Sequence, residues 1–137
     1  MIIVDTNVWS ELAKPNPEPR VQEWEAGSAE QLWLSSVVLA EWRAGATLMP
    51  AGRNREVLSG LIEAVVDSYR DRLLDFDERC SRWYGIVLAD ARSSGKPIFA
   101  ADAMIAATAR AHGMDVATRN LGDFAGAGLK LINPWTD

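Results

Sequence analysis

The sequence predicts an α/β fold built on a parallel β-sheet, and two observations carry this prediction. Short apolar runs alternate along the chain with segments whose apolar residues recur every three or four positions, which is the pattern of strands alternating with helices. The 137 residues, 48% apolar and 24% charged, have the length and composition of one soluble domain. We therefore expect a single domain over residues 1–137.

Five short apolar runs are the predicted strands. They cover residues 2–4, 32–34, 98–99, 116–117 and 129–132, with the run at 98–99 the weakest. The first run is apolar at every position, as expected of a strand that is buried on both faces of a sheet.

Six segments between these runs have helical periodicity. They cover residues 7–13, 20–26, about 36–48, a stretch from Leu58 to Tyr69, one that begins near Asp77, and about 101–112. Ser36 is the predicted N-cap of the third helix. Gly113 is predicted to close the last one, because glycine readily takes the left-handed conformation that follows a helix end.

Composition excludes several classes of protein. The net charge of −5, from 14 basic and 19 acidic residues, argues against a protein that coats nucleic acid through its overall field. Cys80 is the only cysteine, so no intrachain disulfide is possible, and a reducing, cytoplasmic location is expected. The chain has no apolar run of about eighteen residues and no export signal at its start, so we expect no membrane association.

Four carboxylates follow or flank the predicted strands. They belong to Asp5, Glu41, Asp102 and Asp123. Because the carboxyl ends of parallel strands meet at one edge of a sheet, we expect these side chains to converge there. Crowded carboxylates raise one another's pKa, and Mg²⁺ relieves the repulsion by taking oxygen ligands. The sequence therefore predicts a site for Mg²⁺, with Mn²⁺ as a possible substitute.

Each carboxylate also has a purely structural interpretation. Asp5 and Asp102 stand where helix N-caps are expected. Glu41 is open to interpretation as a surface residue in a salt bridge, and Asp123 lies in a polar turn. Only the conjunction of all four favours the metal site.

Other catalytic classes lack their sequence markers. The chain contains no phosphate-binding loop, dinucleotide fingerprint, zinc-protease helix or Cys-x-x-Cys pair. Its only histidine, His112, ends a predicted helix, where interaction with the helix dipole is the simpler role.

The same residues resemble the acidic blocks of PIN-domain nucleases. These blocks are IIVDTNV at residues 2–8, the helical Glu41, ADAMIAATA at 101–109 and TRNLGDF at 118–124, in order over essentially the whole chain. The closing LINPW at 131–135 resembles the end of VapC-type toxins of VapBC toxin–antitoxin systems. In this comparison Thr6 and Asn120 match polar residues beside the first and last acid.

The resemblance implies a three-layer α/β/α fold with a central, mostly parallel sheet. It also implies a Mg²⁺- or Mn²⁺-dependent endoribonuclease, the toxin of a toxin–antitoxin pair, that is held inactive by a VapB-like antitoxin. A homodimer is implied, within a larger toxin–antitoxin assembly in some cases. The alternatives are a PIN nuclease of RNA processing or DNA metabolism without an antitoxin and, more remotely, a receiver-like or catalytically silent binding module.

Further residues are candidates for contacts with RNA and with a partner. Arg43 and Arg119 are predicted to position the substrate, because the acidic chain must hold RNA through local cations. Trp9 and Trp42 lie next to Asp5 and Glu41 in the sequence. We expect them to stand near the groove and to anchor an antitoxin, with packing in the core as the alternative.

Overall fold

Five parallel strands form the central sheet of the computed structural model, which describes all residues from 1 to 137. The strands are β1 (Ile2–Val4), β2 (Leu32–Ser35), β3 (Leu73–Leu74), β4 (Asp115–Ala117) and β5 (Leu131–Ile132). They lie in the order β3-β2-β1-β4-β5. Every neighbouring pair is parallel, so each connection between neighbours must cross over the sheet.

Six α-helices provide the crossovers and cover the sheet. They are α1 (Thr6–Leu12), α2 (Pro19–Ser28), α3 (Ser36–Thr47), α4 (Arg53–Ser68), α5 (Glu78–Ser93) and α6 (Ala100–His112). The arrangement is the three-layer α/β/α fold with a parallel sheet that the sequence resemblance implied. None of the helices is long and apolar enough to cross a membrane.

The central strand β1 explains where the acidic site lies. It pairs with β2 on one side and β4 on the other, so the strand order reverses at β1. In open α/β sheets, ligands bind in the crevice outside the carboxyl ends of the strands at such a reversal. Asp5 directly follows β1, and its backbone N–H donates to the carbonyl oxygen of Ala117 at the end of β4, 2.9 Å away.

The strand predicted at residues 98–99 is wrong. Phe99 is 78% exposed and forms the N-cap of α6, and Pro97 just before the pair has no backbone N–H for a ladder. The third strand is instead Leu73–Leu74, which pairs with the end of β2. Two residues directly after a 3₁₀ turn are too short a run to stand out as a strand in the sequence.

The helix ends agree with the sequence prediction except at α2 and α3. Gly113 closes α6 in the left-handed conformation, with φ of 63°, as predicted. The N-cap of α3 is Ser35 rather than Ser36, and its hydroxyl accepts from the N–H of Val37. The hydroxyl of Ser36 accepts instead from the N–H of Phe76, beyond β3. Helix α2 also runs past its predicted end, to Ser28.

Candidate active site

A polar cleft of about 520 Å³ lies in the crevice outside β1 and β4. Its lining contains all four predicted acids and only one hydrophobic residue. The lining residues are Asp5, Thr6, Asn7, Ser10, Glu11, Lys14, Glu41, Asp102, Arg119, Asn120, Asp123 and Trp135. The structure therefore brings together carboxylates that are up to 118 positions apart in the sequence.

Asp5 is the buried member of the acidic set. Its Oδ2 accepts from the Thr118 hydroxyl at 2.8 Å and from Asn7 Nδ2 at 3.0 Å. Its Oδ1 accepts from the Thr6 N–H at 2.8 Å, so it also caps α1. Burial raises the pKa of this carboxyl, the hydrogen bonds offset part of the rise, and the charge of Asp123 adds to it. Capping and facing the cleft are thus two roles of one side chain.

Asn7 and Thr118 support Asp5 and were not identified from the sequence. Thr118 is fully buried, and besides donating to Asp5 it accepts from Asn7 Nδ2 and from the N–H of Asn120. Asn7 Oδ1 accepts from the N–H of Arg119 at 3.1 Å. The available signal was a polar residue directly after each of the two central strands, which meet at the strand-order reversal.

Glu41 reaches the cleft from α3, as the sequence prediction required. The hydroxyl of Thr6 donates to its Oε1 at 3.3 Å, which links the end of β1 to α3. Burial raises the pKa of Glu41, the charge of Asp5 raises it further, and the bond from Thr6 lowers it.

Asp102 is the carboxylate with the least support from the protein. It lies in the first turn of α6, but the N-cap is Phe99 and no side chain caps this helix, so its capping interpretation is wrong. No hydrogen bond offsets the effects that raise its pKa to about 6: burial first, then the charges of Asp5, Glu41 and Asp123. A half-buried carboxylate beside three others, without a donor, is a group that a cation would stabilise.

Asp123 completes the acidic wall from the 3₁₀ turn Leu121–Phe124, which follows β4. Its side chain is exposed, whereas the neighbouring Phe124 is buried in the core and anchors the turn. Its charge contributes to the raised pKa values of Asp5 and Asp102.

The donor set fits a hydrated divalent cation better than a closed metal cage. No group of three or more His, Cys, Asp or Glu side chains is arranged to hold a metal ion by itself. Mg²⁺ needs no such cage, because it keeps several waters and commonly binds through one or two carboxylates. A roomy, polar cleft with four carboxylates has the oxygen ligands and the space for such an ion.

The two predicted substrate-positioning arginines lie in different places. Arg119 lines the acidic cleft, together with Asn120 and Thr6. Arg43 does not line it, because its guanidinium pairs with Glu63 of α4, 2.9 Å away. A position two residues from Glu41 is on another side of a helix, where each residue turns by about 100°.

Trp9 and Trp42 do not stand in the acidic cleft, so that part of the sequence prediction is wrong. They are 4% and 3% exposed, and their rings stack in the core with centroids 6.0 Å apart. The indole Nε1 of Trp9 donates to the carbonyl oxygen of Val4, whereas Nε1 of Trp42 has no partner. Core packing, the alternative interpretation, describes both residues in the isolated chain.

Known proteins resemble this chain in both sequence and structure. The family model described as the PIN domain matches residues 2–127. A VapC ribonuclease of Sinorhizobium fredii is 47% identical over 137 residues, covering 98% of both chains. The toxin FitB of Neisseria gonorrhoeae is 40% identical over the full length of both.

The solved structures that share this fold agree with the sequence comparisons. The FitAcB crystal structure from Neisseria gonorrhoeae has a TM-score of 0.92 and 39% identity, with complete coverage of both chains. Other structures that share the fold are of toxin–antitoxin complexes.

Proposed function

Because this chain belongs to the PIN-domain family, we propose that it is a divalent-metal-dependent endoribonuclease and the toxin of a toxin–antitoxin pair. Asp102 carries the proposal more than any other observation. Its carboxylate lies half-buried among three others with no donor from the protein. A structural acid would have a hydrogen-bond partner, whereas an acid that binds a cation does not need one.

The proposed ligands are Asp5, Glu41, Asp102 and Asp123, with Mg²⁺ as the expected ion and Mn²⁺ as its substitute. When bound, such an ion lowers the pKa of water and offsets negative charge that develops on a phosphate. The absence of a histidine from the cleft leaves no imidazole to activate a ribose hydroxyl. Attack by water therefore predicts products with 5′-phosphate and 3′-hydroxyl ends.

The surrounding residues have distinct roles in this proposal. Thr118 and Asn7 fix the orientation of the Asp5 carboxylate, and Thr6 does the same for Glu41. Prepositioned groups need little reorganisation when the reaction occurs, which is the main source of electrostatic catalysis. Arg119 provides positive charge next to the acids and contacts the RNA backbone, and Asn120 lies beside it on the same wall.

RNA cleavage by the purified chain tests the catalytic part of the proposal. We expect single-stranded RNA to be cut in Mg²⁺ or Mn²⁺ and to stay intact in excess EDTA. Asp5→Ala, Glu41→Ala and Asp102→Ala should each abolish cutting while the far-UV spectrum stays that of a folded protein. Full activity in EDTA, or 2′,3′-cyclic phosphate ends on the products, would contradict a metal-dependent attack by water.

The proposed partners are a VapB-like antitoxin and a second copy of the chain, which act with it in the cytoplasm. The names of the relatives support the toxin role. An arginine from an antitoxin tail would reach the carboxylates through charge-assisted hydrogen bonds and compete there with the metal. Exposed apolar side chains such as Leu48 and Phe99 are candidates for protein contacts in the assembly.

Competition between antitoxin and metal is directly measurable. We expect a cognate antitoxin to inhibit RNA cutting, and rising Mg²⁺ at constant ionic strength to weaken the inhibition, because both ligands take the same carboxylates. Added NaCl should also weaken binding, since part of the attraction is between opposite charges. Inhibition that is independent of Mg²⁺ would show that the antitoxin acts away from the acids.

A further inference from the structure

A second cleft continues from the acidic one, and we propose that it holds the RNA strand next to the cleaved bond, with a backbone phosphate on Arg119. The proposal rests on the ribonuclease function proposed above and adds the route of the substrate to it. The second cleft, of about 680 Å³, shares Glu11, Lys14, Arg119 and Trp135 with the acidic cleft. Its other wall is the turn at residues 15–19 with Gln22.

Arg119 is the free cation on the shared wall. Lys14 is the only other basic residue that lines either cleft. Its ammonium group lies 3.1 Å from Glu11 Oε1, so its charge is already matched. Arg119 forms no ion pair with the protein. An unpaired guanidinium offers several N–H donors in a plane, which is the geometry that binds phosphate.

Two contacts hold Arg119 in place without substrate. Its backbone N–H donates to Asn7 Oδ1 at 3.1 Å, and Asn7 also donates to Asp5. Its guanidinium carbon lies 4.9 Å from the centre of the Trp135 ring. Trp135 is held by its own N–H, which donates to Asn133 Oδ1 at 2.9 Å. A phosphate on Arg119 would therefore sit at a fixed distance from the Asp5 carboxylate.

The opposite wall of the second cleft is rigid. Pro15, Pro17 and Pro19 alternate along the turn, and each proline fixes its own φ. The buried Glu11 accepts from the N–H of Glu18 at 3.3 Å, which fastens this turn to α1. A groove that exists before binding costs little conformational entropy to occupy.

The chemistry of the second cleft favours a nucleic-acid strand over a protein partner. Only one of its ten lining residues is hydrophobic, whereas the centres of protein interfaces are apolar pockets that take large anchors. It opens directly into the acidic cleft, where the scissile phosphodiester has to lie. Grooves for single strands combine a cation that tracks the backbone with aromatic side chains, as Arg119 and Trp135 do.

Steady-state cutting of single-stranded RNA in Mg²⁺ tests this route. Arg119→Ala should raise KM by about 10- to 100-fold, the range for losing a charged hydrogen bond, with little change in kcat. Its loss should also make the logarithmic salt dependence of RNA affinity shallower by about 0.7 per phosphate contact. Arg79→Ala is the matched control, because Arg79 is exposed and lines neither cleft.

Trp135 tests the positioning part of the proposal. Trp135→Ala should raise KM as Arg119→Ala does, and the double variant should be no worse than either single one, because both changes remove one contact. Trp135→Phe should retain most of the affinity, since a phenyl ring still attracts a cation. Circular dichroism separates these effects from unfolding.

Substrate length gives a readout that a merely structural role would not move. RNA shortened on one side of the cut should bind the wild type more weakly, and Arg119→Ala should be insensitive to that shortening. Fluorescence anisotropy of labelled RNA measures the same binding without turnover when the comparison is made in an Asp102→Asn background.

The outcomes separate this route from the function on which it rests. If the wild type cuts RNA and Arg119→Ala leaves KM and the salt dependence unchanged, the route is overturned and the ribonuclease function stands. The same conclusion holds if Arg119→Ala weakens only the binding of an antitoxin. If the wild type cuts no RNA, the ribonuclease function fails, and equal RNA affinities with and without Arg119 would overturn the route as well.

Discussion

At the scale of single residues, Asp5 and Asp102 show how two carboxylates in one cleft differ in what the protein does for them. Asp5 accepts three hydrogen bonds, from Thr118, Asn7 and Thr6. Asp102 is raised in pKa by burial and by neighbouring charges, with nothing that lowers it. Both acids are predictable from the sequence as members of the site. Their different support is not, because the donors come from the far end of another strand.

The first prediction concerns the stability of the metal-free protein and uses Asp102→Asn. The pKa of Asp102 is raised from 3.8 to about 6, so the folded chain holds this proton more tightly than the unfolded chain does. Its contribution to stability is therefore present below about pH 4 and is lost as the pH rises through 6. In EDTA at pH 7 to 8, Asp102→Asn should unfold at a higher urea concentration than the wild type. The two proteins should converge near pH 4.

Asp71→Asn and Mg²⁺ are the controls for this prediction. Asp71 is exposed outside the cleft, so its replacement should leave the pH dependence unchanged. Saturating Mg²⁺ should stabilise the wild type through binding and remove the advantage of Asp102→Asn. An Asp102→Asn protein that is less stable than the wild type in EDTA would show that this carboxylate has a structural partner. Asp5→Asn is the weaker test of repulsion, because it also disturbs three hydrogen bonds.

At the scale of elements, the loop after the 3₁₀ turn that carries Asp123 depends on a close approach to the end of α5. A Cβ atom on Gly126 would lie 3.0 Å from both Ala91 Cα and the carbonyl oxygen of Lys96, which are backbone atoms. The carbonyl oxygen of Ala127 accepts from Arg110 Nη1 at 3.4 Å, and the same nitrogen pairs with Asp90 of α5. The position of Asp123 is thus linked to the packing of this loop on α5 and α6.

The second prediction compares two glycines. Gly126→Ala should destabilise the protein by about 1 to 3 kcal/mol, the usual cost of overpacking, and should also slow RNA cutting by displacing Asp123. Gly60→Ala in α4 is the matched change, because its Cβ would meet nothing within 4 Å. It should stabilise by up to about 1 kcal/mol, since alanine favours helix more than glycine does. Equal urea midpoints for Gly126→Ala and the wild type would show that the loop yields without cost.

The elements also show where sequence reasoning succeeds. Strands β1, β2 and β4 were predictable because parallel pairing buries both faces and leaves continuous apolar runs. Strand β3 was not, because its two leucines follow a 3₁₀ turn and their pairing with β2 is a long-range property. The burial of Trp9 and Trp42 has the same cause: proximity in sequence to Asp5 and Glu41 does not determine on which side of a helix a residue lies.

At the scale of the whole molecule, the charge distribution sets how RNA approaches. The chain carries a net charge of −5, and four of its carboxylates line the cleft where a phosphodiester would have to lie. Without a cation, this cleft repels RNA. A bound divalent ion would reverse the local sign of the charge, so metal binding and RNA cutting should be coupled.

A Mn²⁺ titration followed by electron paramagnetic resonance, with RNA cutting measured in the same samples, tests this coupling most directly. We expect the Mn²⁺ concentration at half-saturation to match the one at half-maximal cutting rate. Asp102→Asn should weaken both together, and Asp71→Asn should change neither. If Asp102→Asn bound Mn²⁺ with wild-type affinity, or if the wild type cut RNA at full rate in EDTA, the acidic cleft would not be the metal-dependent catalytic site.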